Sequence, residues 1–377
     1  MDFSFTEEQS MLRDTVQRFV NNEYDFDTRR KIIATEEGRK PEHWATFAEL
    51  GLLAVPFEEE HGGLGYGPIE MMVIMEELGR GLVVEPYLQT VVTCGGFLRH
   101  GGTDAQKAEF IPQIAGGEKI FAFAYAEPQG RYNLADIATT AKADGDGYVL
   151  NGYKAVVHAG PWADMLIVTA RTGGAQRDED GITVFVVDAK ADGVSRRDYA
   201  TVDGLRASEI TFENVKVGAD AVIGDAGKGL PLIEKVADET IAALAAESIG
   251  AMKVLNDTTV DYCKTRTQFG VPIGKFQVLQ HRMVDMFMEH EQSVSMTYMA
   301  HLKINEDETE RKKAASAVKV QIGKSGRFIG QNAVQLHGGM GMTDELNVGH
   351  FFKRLTMIDA LFGNTDHHIK RYASLSN

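Results

Sequence analysis

Cysteine is nearly absent: Cys94 and Cys263 are the only 2 in 377 residues, far apart and in no C-x-x-C pair. That excludes a disulfide framework, offers no metal-ligand set, and points to a reducing cytoplasm in which both thiols are buried structural residues. Basic charge is also short. The 39 Lys and Arg face 54 Asp and Glu, leaving a net charge of -15, which repels phosphate backbones and anionic lipid. Nucleic acid and membrane surfaces are therefore not expected as partners, and any anionic ligand must be met by a local cluster of Arg and Lys. No run is long and apolar enough to span a bilayer, and the opening MDFSFTEEQ, with early acids and no apolar core, is not expected to be a secretory signal. Internal repeats and low-complexity tracts are missing too. What remains is globular: 44% hydrophobic and 25% charged residues, with a length suggesting roughly two or three domains.

The periodicity changes twice along the chain. From Thr6 to about Lys119 it is helical, opened by a Thr6/Gln9 capping box, with Trp44, Phe47, Leu50 and Leu53 at helical spacing and further helices at Glu70 to Leu82 and Val91 to Arg99. The glycine-rich EEEHGGLGYGP between them has no G-x-G-x-x-G register and no preceding strand, so it is a connector. Near Ile120 the runs FAFAYAEP, GYVLNGYKAVVHAG, DMLIVTART, ITVFVVDA and SEITFENVKV become short and β-rich, without helices between them. This predicts an antiparallel barrel or sandwich. From Gly229 helices return at Leu230 to Thr265, Phe276 to Asn305, Glu308 to Leu336 and Asn347 to Ser374, long enough for a four-helix bundle. The expected architecture is an α+β multidomain chain: an N-terminal helical domain (1–119), a middle β domain (120–228) and a C-terminal helical bundle (229–377).

The segment Lys264 to Arg282, KTRTQFGVPIGKFQVLQHR, interrupts the last helical part with a loop carrying Arg266, Gln268, Phe269 and Gly270, followed by Phe276, Gln277 and Gln280. A guanidinium, an aromatic ring and two amides beside Gly and Pro can grip a phosphate-bearing, ring-containing ligand. The same residues also suit a helix C-terminus before a Gly/Pro stop.

Four motifs in order, together with the α, β, α sequence of domains, resemble the acyl-CoA dehydrogenase family over essentially the whole chain. YAEP at Tyr125 to Pro128 resembles the strand whose backbone meets the flavin ring, with Tyr125 and Ala126 as contacts. The Arg266 to Gly270 loop resembles the one reaching the FAD of a neighbouring subunit. QLHGG, with Gln335, Gly338 and Gly339, resembles the helix end beside the adenosine of FAD, and Thr365 and His367 fall where the family holds the cofactor. The resemblance implies FAD, an acyl-CoA substrate, conversion to a trans-2-enoyl-CoA by α-proton removal and hydride transfer to flavin N5, electron-transfer flavoprotein as acceptor, and an oligomer. It also implies a carboxylate base and donors to the thioester carbonyl.

The resemblance departs at the base. The family's Tyr-Glu-Gly-Thr turn is here Phe362, Gly363, Asn364, Thr365; Gly363 retains only a backbone N–H for the thioester. The second family location aligns with Thr240. Among nearby acids Glu247 lies seven residues on, on the same face and about 10 Å further along the axis, whereas Glu239 is rotated by about 100°. Glu247 stands in an apolar run where a charged carboxylate is costly, a setting that favours a base or an ion pair with another helix; Glu239 is the second candidate. The flavin-bordering Trp and Thr of the family are replaced by Val156 and His158, and the turn after Pro128 carries Arg131, able to meet a substrate anion or a surface acid. Such departures resemble the branch handling dicarboxylates, sterols and other bulky acids, where paralogous subunits form heterotetramers and one chain can lack the base.

Overall fold

A computed structural model describes residues 4–376. The chain forms two compact units: one gathers the stretch ending at Ala34, Pro68–Val83 and everything from Ile241 onward; the other gathers Thr35–Gly67 and Val84–Thr240. The helices are α1 (Glu7–Glu23), α2 (Phe26–Ala34), α3 (Pro41–Glu49), α4 (Pro68–Gly81), α5 (Gly95–Gly101), α6 (Asp104–Ala115), α7 (Leu230–Thr265), α8 (Gln277–Lys303), α9 (Glu308–His337), α10 (Asn347–Ala360) and α11 (Thr365–Ser374). None of the described helices is long and apolar enough to cross a membrane.

The sheet-bearing unit contains β1 (Phe121–Ala124), β2 (Thr140–Asp144), β3 (Gly147–His158), β4 (Met165–Arg171), β5 (Ile182–Asp188), β6 (Val194–Ala200), β7 (Arg206–Val217) and β8 (Val222–Ile223). They form one sheet in the order β6-β7-β3-β2-β4-β5-β8, with β1 beside β4. Most pairings are antiparallel, as the short uninterrupted strands predict. The exceptions both involve β4: β1, which enters from the preceding helices rather than a hairpin, pairs parallel to it with Phe121 opposite Met165, and β2 pairs parallel to it at Thr140 opposite Arg171. Leu150, Val157, Leu166, Phe185 and Phe212 fill the sheet's core.

In the helical unit, the Thr6/Gln9 capping box closes as expected: Gln9 N–H donates to Thr6 Oγ1 at 3.2 Å and Thr6 N–H to Gln9 Oε1 at 3.0 Å. Residues 241–252 of α7 are all buried, because a helix apolar on every side must be covered on every side. Small residues set the approach of its neighbour. A Cβ on Gly250 would collide with the Glu76 carbonyl, and one on Gly79 with the Glu247 carbonyl, so α4 and α7 cross with backbone against backbone. Ile249, Met252, Leu255, Ile329, Leu336, Phe351 and Leu355 form the core between α7, α9 and α10. The expected single helix from Asn347 to Ser374 is two: Phe362 at φ 55° and Gly363 at φ 113° break it, and Asn364 then caps α11 by accepting from His367 N–H at 3.0 Å.

Candidate functional site

On the sheet unit, the expected ligand-facing residues lie where β1 leaves the sheet and β3 ends. Tyr125 stacks on Phe123 with ring centroids 4.8 Å apart, and the Ala126 carbonyl accepts from Ala155 N–H at 2.8 Å. Beneath them lies a buried ion pair that the sequence reading passed over. Lys154 Nζ donates to Glu127 Oε1 at 2.7 Å and to Thr169 Oγ1 at 3.1 Å, while Glu127 also accepts from the N–H groups of Ala138 and Thr139. Burial alone would raise the Glu127 carboxyl, but the Lys154 charge and hydrogen bond hold it low, so the pair is ionised. A Lys inside the apolar alternation of β3 was the visible signal.

Register in β3 slips between Lys154 and Val157 against β7, and Val156 takes φ 47° with 42% exposure. A β-branched residue at positive φ, apolar and uncovered at a strand end, is stored strain of the kind found where a ligand is met. His158, half-buried, closes the strand opposite Ala207. Arg131 is exposed at φ 48°.

On the helical unit, the Arg266 to Gly270 segment is more than a loop. Thr267–Gln268 and Val271–Pro272, β9 and β10, pair antiparallel around Phe269 and Gly270, whose φ values of 56° and 81° are those of a primed two-residue hairpin turn. Phe269 at the tip is 91% exposed and meets Phe276 edge-on at 6.1 Å. Arg266, Gln268 and Gln277 are exposed as well. The alternative of a plain helix stop does not explain an ordered hairpin presenting an uncovered ring.

The QLHGG end has a similar character. His337 stacks on Tyr262 at 4.3 Å, which fixes the last turn of α9. Gly338, at φ 59°, and Gly339 follow with open space where a Cβ would stand, and Gln335 is exposed beside them. Bare backbone flanked by an amide is a cradle that side chains would fill. Taken unit by unit, the exposed amides, rings, guanidinium and open glycine backbone are groups of the kind that suit phosphate and aromatic parts of a ligand. The Thr365 hydroxyl donates to Asp359 Oδ1 at 2.9 Å, which leaves its oxygen only an acceptor. His367 is half-buried, its ring edge-on to His368 at 5.0 Å.

Both candidate acids have partners within the fold. Glu247 is buried, and Arg354 on α10 forks onto both its oxygens at 2.5 and 2.8 Å, forming the bidentate ion pair with another helix that the sequence leaves open beside a base. Arg354, a charge in the apolar period of α10, was the overlooked signal. Glu239, the second candidate, accepts from Arg99 at 2.8 Å and pairs with His100 at 2.5 Å. Burial raises its carboxyl, yet the Arg99 charge and the His100 hydrogen bond outweigh that and bring it down to about 2. Thr240, at the second family base location, is fully buried, donates to the Val236 carbonyl at 2.8 Å and lies 3.0 Å from Thr93 Oγ1.

Gly363 is buried in the turn between α10 and α11, and a Cβ there would stand 2.6 Å from both His367 Cδ2 and His368 Nε2. Lys319 Nζ donates to its carbonyl at 2.6 Å. The position is shaped around glycine.

Family profiles for the acyl-CoA dehydrogenase N-terminal, middle and C-terminal domains match residues 6–118, 122–215 and 227–374. The chain is 31% identical to a 3-(aryl)acrylate reductase of Clostridium sporogenes over 96% of both sequences, and 30% identical to the probable acyl-CoA dehydrogenase YngJ of Bacillus subtilis over 97% of both. Among solved structures it resembles a variant of the Tcur3481-Tcur3483 steroid acyl-CoA dehydrogenase, with a TM-score of 0.88, 28% identity and 98% coverage of each chain. The chain thus belongs to the acyl-CoA dehydrogenase family of flavoprotein oxidoreductases.

Proposed function

We propose that this chain is a flavin-binding subunit of an acyl-CoA dehydrogenase that positions cofactor and thioester without supplying the proton-abstracting carboxylate, which comes from a paralogous partner. The observation that carries this reading is the setting of Gly363, where any side chain at φ 113° would run into His367 and His368. Restoring a glutamate there requires moving two rings. The other candidates point the same way, since Glu247 is engaged by Arg354 and Glu239 by Arg99 and His100.

FAD is the cofactor of this reading. Arg266, Gln268, Phe269, Phe276 and Gln277 would hold its phosphates and rings, Gln335, Gly338 and Gly339 its adenosine end, and Tyr125, Ala126 and His158 its isoalloxazine, with His367 as a further contact. When bound, FAD supplies the oxidising power, taking the β-hydrogen as hydride in forming a trans-2-enoyl-CoA. The chain's own part is electrostatic. Gly363 N–H donates to the thioester carbonyl, so that charge developing on its oxygen as the α-proton leaves is stabilised. Arg131 would meet an anionic part of the substrate. Likeness to the steroid enzyme favours a bulky acyl-CoA, and electron-transfer flavoprotein is the acceptor.

The test is to purify the chain alone and co-expressed with a paralogous acyl-CoA dehydrogenase subunit, then add acyl-CoA without oxygen. Visible flavin absorbance is expected to bleach only in the pair. Bleaching by the chain alone, as a homo-oligomer, overturns the proposal.

A further inference from the structure

We infer that His368, aided by Lys319, is a positioning residue that orients the Gly363 peptide for its thioester acceptor; this rests on the proposed reading that the carbonyl is received there. His368 Nε2 lies 3.0 Å from the Phe362 carbonyl oxygen and Nδ1 lies 3.3 Å from Ser316 Oγ. A carbonyl only accepts, so Nε2 carries the proton and Nδ1 is left to accept from the serine hydroxyl. No described peptide is cis. In a trans peptide the N–H points opposite its C=O, so holding the Phe362 oxygen against His368 turns the Gly363 N–H the other way.

Lys319 does the same for the next peptide. Fully buried, its ammonium donates to the carbonyls of Gly363 at 2.6 Å, Ile358 at 2.8 Å and Asp359 at 2.9 Å, tying the turn to the end of α10. With both carbonyls pinned, the N–H groups of Gly363 and Asn364 have no hydrogen-bond partner among the described residues. An unpaired buried N–H costs on the order of 1–3 kcal/mol, a cost removed when a ligand oxygen arrives. The strained φ values at Phe362 and Gly363, 55° and 113°, are what these bonds maintain. Burial, then the Lys319 charge, draws the His368 ring down to about 3, so the neutral tautomer that serves both partners persists at physiological pH. Neither residue touches the reacting atoms, and neither belonged to the motifs from which the family was read.

The experiment uses the full FAD-loaded chain with its partner and octanoyl-CoA labelled with carbon-13 at the thioester carbonyl, read by isotope-edited infrared spectroscopy. The bound carbonyl band is expected to move to lower wavenumber. His368→Leu should lose about half of that movement with FAD content unchanged, and His368→Gln, whose amide can donate, should restore it. A folded His368→Leu with the full shift overturns the inference. If His368→Leu does not fold, Ser316→Ala, which removes the Nδ1 partner together with an Arg371 contact at 3.4 Å, decides: a reduced shift that Arg371→Leu does not reproduce supports the inference and an unchanged one overturns it. Failure of the labelled thioester to bind or shift in the unsubstituted protein overturns the functional reading itself.

Discussion

Glu247 shows how far a residue can be read alone. Its burial in the apolar stretch of α7 was legible from its neighbours, but its partner was not, because Arg354 lies 107 residues further on and only the packing of α10 brings the fork within 2.8 Å. Removing one member of such a pair leaves an uncompensated buried charge, so Arg354→Leu is expected to cost ~3–5 kcal/mol in urea unfolding. Glu247→Gln should likewise lower the melting temperature while leaving turnover of the paired enzyme in place; lost flavin reduction with unchanged stability would return Glu247 to the role of base. Glu239 carries a different signature. Its carboxyl falls from 4.5 unfolded to about 2 folded, so its contribution is complete above pH 4.5 and is lost as pH falls toward 2, on the order of 3 kcal/mol in all. Urea midpoints at pH 5 and pH 3 should diverge less in Glu239→Gln than in the natural chain; equal divergence would refute the assignment.

At the scale of elements, the long helices and the β-rich middle were visible in the period of the sequence, whereas turns were not. The break at Phe362 and Gly363 was hidden from the periodicity, because Asn347 to Ser374 keeps a helical pattern on both sides, and showed only in the likeness of Phe362 to Thr365 to the family's turn; the β9–β10 hairpin was hidden because two-residue strands are too short to show alternation. That hairpin makes a clean prediction. Phe269 is 91% exposed, so Phe269→Ser should leave the melting temperature of the apoprotein unchanged while lowering the ratio of FAD to protein after gel filtration. Equal FAD retention would remove the hairpin from the cofactor site. The α4–α7 crossing predicts the opposite pattern: Gly250→Val forces the backbones apart and should destabilise by about 2 kcal/mol or more, measured by thermal unfolding, with any FAD loss following the loss of fold.

For the whole molecule, composition restricted the partners and the order of motifs led to the family, but ownership of the base was legible only in part. The sequence shows a glycine where a glutamate is expected; it does not show that two histidine rings have closed over the place. A net charge of -15 also means that the cations which matter are local, and two of them, Arg354 and Arg99, are occupied in restraining the very acids that could have served as a base. The most direct measurement is therefore of proton abstraction alone. The FAD-loaded chain, purified without a partner, is incubated with acyl-CoA in deuterium oxide, and α-deuterium incorporation is followed by mass spectrometry. Incorporation no faster than in buffer is the predicted result, with exchange appearing once the paralogous subunit is present; rapid exchange by the chain alone would contradict it.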